Sequence, residues 1–89
     1  MMVQFNDKHL EEFIREKLLI SVRDSLGHRV NPTNDSIAIT NTILAKIHKV
    51  NPSPLIDRDK IVKISGEVLK NFDRVSSSHY LAYHKLVTN

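Results

Sequence analysis

The chain contains no cysteine, and its 89 residues include only two glycines and three prolines. Without cysteine there are no disulfides, thiolate zinc sites, iron–sulfur clusters or cysteine nucleophiles, a composition compatible with a reducing compartment; any metal would rely on histidine and carboxylates. So little glycine and proline excludes a low-complexity tail, and it leaves too few turn signals for a many-stranded sandwich or barrel. Apolar runs such as Leu18-Leu19-Ile20 fall far short of the roughly 18 to 20 residues that cross a bilayer. Met1-Met2-Val3-Gln4-Phe5-Asn6-Asp7 has neither a basic region nor a long apolar core of the signal-peptide kind, so a cytoplasmic address is expected. Neither a Gly-x-x-x-x-Gly-Lys-Ser/Thr loop nor a Gly-x-Gly-x-x-Gly turn occurs, so any nucleotide must be held another way.

What is present fits one small helical domain over residues 1 to 89, with 40% hydrophobic positions and a net charge of +3. That charge mildly favours anionic partners, and an ordinary solvated surface reaches it too. Leu10, Phe13, Ile14, Leu18, Val22 and Leu26, spaced by three and four, predict a first helix over 9–27, widened by Leu19 and Ile20 and closed by Gly27 as a positive-φ cap. Asn31-Pro32 starts a second helix over about 33–49, with Ile37, Ile43, Leu44, Ile47 and Val50 inward. Asn51-Pro52-Ser53-Pro54 reads as a short rigid connection. Asp57 or Ser53 begins a third helix with Ile61, Ile64, Val68, Phe72 and Val75 buried; Ser76-Ser77-Ser78 caps a fourth over about 78–87, with Tyr80, Leu81, His84 and Val87 inward. Val3-Gln4-Phe5 alternates like a short strand before the turn residues Asn6-Asp7. The expected fold is thus all-α, four helices, with a short N-terminal β-hairpin or extended segment.

Catalysis has little support. Glu11, Glu12 and Glu16 read as a solvated helix face, Ser78 beside His79 lacks a glycine elbow, and the spacing of His79 and His84 matches no zinc site. An anion site has more. Lys17 flanks the first helix's apolar stripe, and Arg58 and Lys60 stand at the start of the third helix, where free amides favour anions. The competing account is that Arg58 and Lys60 pair with Asp57 and Asp59 in solvent.

The segment from Val3 through Asn6-Asp7-Lys8 to Phe13-Ile14-Arg15-Glu16-Lys17-Leu18 resembles the opening of an ATP-cone domain, in which a hairpin reading valine-x-lysine-arginine-aspartate-glycine leads into the first helix. Ile61-Val62-Lys63-Ile64 and Tyr80-Leu81-Ala82-Tyr83-His84 resemble the family's later helix and its closing motif, so that nearly the whole chain is covered. The resemblance implies a four-helix bundle capped by a hairpin that binds ATP or dATP, with no metal beyond nucleotide-associated magnesium, and acts as an allosteric switch or nucleotide sensor. It implies that Lys17 contacts phosphates and that Val3, Asp7 and Phe13 form or support the nucleotide lid. Phe5-Asn6 stand where the family has lysine-arginine, Lys8 where it has the turn glycine, and His84 at the terminal arginine. Two hairpin cations that would grip a triphosphate are therefore replaced. With no catalytic domain in these residues, such a module is expected to be non-enzymatic and to act on a protein partner, which it would also bind if degenerate. A second reading is a small helix-turn-helix DNA binder, with Ser77, Ser78, His79 and Lys85 offered to the groove and phosphates.

Overall fold

The computed structural model describes residues 1–84. The alternation at the amino terminus forms β1 (Met2–Gln4), which turns Val3 into the core. A turn through Asn6, Asp7 and Lys8 is closed by the Lys8 N–H on Phe5 O at 2.8 Å and the Phe5 N–H on His9 O at 3.0 Å. It returns the chain as β2 (Leu10–Glu12), antiparallel to β1 with Val3 opposite Glu11. The first helix therefore does not begin at residue 9. Helix α1 (Arg15–Ser25) starts after an extended Ile14, because residues 10–12 satisfy the open backbone groups of β1 instead. Leu10 is left 51% exposed on the sheet, and Glu11 and Glu12 belong to the hairpin rather than to a helix face.

Along α1, Leu18 and Val22 are buried, as is Leu26 just past its end, and the helix packs against both α2 and α4, while Ile20 is 58% exposed. The residue that caps its carboxy end is Leu26 at φ −104°, and no glycine has positive φ, which removes Gly27 as the expected left-handed cap. Helix α2 (Pro32–Val50) carries proline in its first turn as anticipated, but Asn31 makes no side-chain cap. Its inward stripe is Ser36, Ile39, Thr40, Ile43 and Ile47, leaving Ile37 and Val50 exposed. Thr40, β-branched and a weak helix former, fits this stripe at helical spacing because packing outweighs its propensity.

After the Pro-rich connection comes a strand that was not anticipated. The Met2 N–H donates to Pro54 O at 2.8 Å, and β3 (Leu55–Asp57) runs parallel to β1, burying Ile56 beside Val3. The sheet order is β2-β1-β3, so the fold is mostly helical but not purely all-α. Ser53 starts no helix; its hydroxyl accepts the Leu55 N–H at 3.2 Å, and Asp57 stands immediately before α3 (Arg58–Phe72).

Helix α3 buries Ile61 and Ile64 as expected, and also Val62, Ser65, Gly66 and Leu69, because α2 and α4 pack on different sides of it. Phe72 and Val75 are exposed instead. At Gly66 a Cβ would lie 2.8 Å from Leu81 Cδ2, so the missing side chain lets α4 approach closely. Helix α4 (Arg74–Tyr83) begins earlier than the serine triplet predicted, since Asp73 is its cap and accepts the N–H groups of Val75 (2.9 Å) and Ser76 (3.4 Å). Ser76 and Ser77 are buried within the helix, Tyr80 is buried as anticipated, and Leu81 is more exposed than expected. Val87 and the end of the predicted fourth helix lie outside the described residues. Among the described residues, no helix is long and apolar enough to cross a membrane.

Candidate functional site

The hairpin lies over the sheet-proximal ends of α1, α3 and α4, and between them is an open cavity of about 270 Å³. Its floor is apolar. Val3 comes from β1, Phe13 and Ile14 from the connection into α1, Leu18 from α1, Ile61 and Val62 from α3, and Tyr80 from α4. Phe5 and the carboxylates Glu11 and Glu12 stand on the hairpin side, while Lys17, Arg58 and His84 bring cationic or basic nitrogen from three different helices. An apolar recess with a few convergent polar groups has the general make-up of a small-molecule site.

The local sequence explains each placement. Lys17 follows the helix start by two residues, with its N–H on Ile14 O at 3.1 Å, so its side chain leaves the first turn of α1 beside the hairpin. Its amine makes no ion pair or hydrogen bond with any described residue. Arg58 is the first residue of α3, set directly after β3, and its Nη1 donates to Asp59 Oδ1 at 3.2 Å. Tyr80 on α4 and His84, which caps the end of that helix, are four residues apart, with ring centroids separated by 4.4 Å. The Nε2 of His84 is buried and has no hydrogen-bond partner among the described residues. Burial first, and the Arg58 charge second, hold the His84 imidazole below its usual range. Burial likewise raises the Tyr80 phenol, partly offset by the Ser65 hydroxyl and by Arg58.

Four of the six anticipated site residues, Val3, Phe13, Lys17 and Arg58, thus meet in one cavity. Asp7 and Lys60 do not line it. Asp7 lies at the turn of the hairpin, where its carboxylate accepts the His9 N–H at 3.1 Å and contacts the His9 ring. Lys60 points to the connection before β3, donating to Asn51 Oδ1 at 3.2 Å. Lys17, Arg58 and Lys60 therefore do not form one anion site. Phe5, Glu11, Glu12 and His84 are lining residues that the sequence did not single out for binding. The available signals were the strand-like alternation at Val3-Gln4-Phe5 and the inward pair Tyr80 and His84, one turn apart.

Of the groups offered to DNA, Ser77 is interior: its hydroxyl donates to Gly66 O at 2.8 Å. Ser78 and His79 are exposed, and Lys85 lies outside the described residues. No protein-family model matches the chain, and a search of curated proteins finds no significant match either.

Proposed function

We propose that the chain is a nucleotide-responsive, non-enzymatic regulatory module whose cavity beneath the hairpin takes ATP or dATP. The observation that carries this reading is the convergence of Lys17 and Arg58 on one apolar recess, beside the His84 Nε2, which has no hydrogen-bond partner among the described residues. The aromatic base belongs against the Phe13 and Val3 side, where burying its face removes apolar surface from water. The phosphates belong with Lys17 and Arg58, since ionised donors make the stronger hydrogen bonds to phosphate. Arg58 supplies from α3 a cation that the hairpin lacks at Phe5 and Asn6. Magnesium enters only as the nucleotide's own counter-ion, and the response is transmitted to a protein partner.

Calorimetric titration with ATP and with dATP tests the reading. Saturable binding is expected, weakened about tenfold or more by Lys17→Ala, the effect of removing a charged hydrogen-bond donor. No heat at millimolar nucleotide rejects a nucleotide-binding module and leaves a surface that binds only protein.

A further inference from the structure

Both ring nitrogens of His9 face carboxylates, Nδ1 toward Asp7 and Nε2 toward Glu11 Oε2 at 2.7 Å. A neutral imidazole has a single N–H, so only the imidazolium can donate to both. The ring also stacks on Phe5, with centroids 4.5 Å apart and planes 8° from parallel. Phe5 and Glu11 line the cavity, whereas His9 and Asp7 stand outside it on the same hairpin. One solvent-accessible titratable group therefore holds two cavity walls.

We infer that His9 is a proton-operated latch on the nucleotide cavity. Protonated, it ties Glu11 and Asp7 together over Phe5 and offsets a negative charge at the mouth. Deprotonated, it can hold only one of the two carboxylates, and the hairpin presents one more net negative charge to incoming phosphates. The inference rests on the nucleotide reading of the cavity. The charged groups around the latch are Asp7, Lys8 and Glu11 on the hairpin, Glu12 beside them, Asp57 and Asp59 in the groove that Phe5 and Lys8 line, Lys17 from α1, Arg58 from α3 and His84 at the end of α4. Lysine and arginine keep their charge through neutral pH, and His84 is held neutral there by burial and by Arg58. His9 is held above its ordinary value of 6.5, first by Glu11 and then by Asp7, so within this set it is the group that changes charge above that pH.

The test compares ATP affinity of the full chain and of His9→Gln by calorimetry at about pH 6.5 and 8.5. Screened Coulomb repulsion between one added charge and a polyanion predicts that wild-type affinity falls on the order of three- to tenfold. The Gln variant is expected to follow only the nucleotide's own titration, and an equal pH dependence in both chains overturns the latch. If neither chain binds ATP at either pH, the nucleotide reading fails and the ligand-free chain decides the latch. In an NMR titration, Glu11 and Phe5 signals that shift with the His9 midpoint support it. Signals that stay flat through that midpoint overturn it.

Discussion

Lys8 holds its backbone at φ 69°, in the left-handed region where a Cβ crowds the following carbonyl. Glycine reaches that conformation without the clash. Lys8→Gly is therefore expected to stabilise the fold by about 1 kcal/mol, the relief of strain exceeding the added chain entropy of the unfolded state; an unchanged urea midpoint contradicts this. The turn chemistry of Asn6-Asp7 was legible in the sequence, but the strained conformation falls on Lys8, a residue with no turn signature of its own. A second residue-scale effect lies at the opposite end of the molecule. The Asp73 carboxylate accepts from His28 Nε2 and from Arg29 Nη1, both at 2.9 Å, while capping α4. The His28 bond first, then Arg29, holds it far below its usual 3.8, against a smaller opposing effect of burial. The native state then binds fewer protons than the unfolded chain, so this stabilisation is complete above the unfolded value and is lost as pH falls toward the native one. Melting temperature followed from about pH 5 to pH 2 should drop more steeply for wild type than for Asp73→Asn. Parallel curves would show that the carboxylate carries no pH-linked stability.

Between elements, the most extensive helix contact is α3 against α4, where Gly66 leaves room for Leu81 and the buried Ser77 hydroxyl donates to the Gly66 carbonyl. Ser77→Ala leaves both helices formed and removes that tie, with an expected loss of about 1 kcal/mol in a urea or thermal unfolding measurement. Ser78→Ala on the exposed face gains only alanine's better helix propensity and is expected to be neutral or slightly stabilising; a Ser77→Ala change that is equally neutral would show that the buried hydrogen bond carries no net stability. Four helices were readable from apolar spacing, the start of α2 from Pro32, and that of α3 from Asp57, one of the two starts offered beside Ser53. The misread boundaries share a cause. Leu10 continued the helical spacing of Phe13 and Ile14, but its backbone was recruited by β1, a partner that only the turn before it brings alongside. In the same way the Ser76-Ser77-Ser78 run looked like a cap, whereas the carboxylate of Asp73 reaches the free amides first. Strand β3 was illegible because three residues after a proline have no periodicity to read; its place is fixed by the open edge of β1.

At the scale of the whole molecule, Val3 and Ile56 from the sheet join Val22, Ile43, Ile47 and Leu69 from the helices in one core. The sheet is thereby anchored to the bundle, and the cavity lies where the two meet. Ile43 is fully buried, and Ile43→Ala is expected to cost about 3 kcal/mol. A chain of this length has roughly 5 to 10 kcal/mol in all, so a change below about 1 kcal/mol in chemical denaturation would mean that the site repacks without a cavity. The candidate site was legible in part. Lys17 stood out as a cation beside an apolar stripe, and Arg58 as a cation at a helix start. Lys60 shared that helix start yet points toward Asn51, because neighbours one and two apart on a helix face different directions. His84 gains its significance only through burial in three dimensions. The most direct test of the account is to map amide and methyl NMR shifts on adding millimolar ATP. The cavity reading predicts that the perturbed residues cluster at Val3, Phe13, Lys17, Arg58 and Tyr80, and that Lys17→Ala raises the ATP concentration needed for the same shifts about tenfold or more. Shifts that are absent, or that gather away from the hairpin and the start of α1, contradict it.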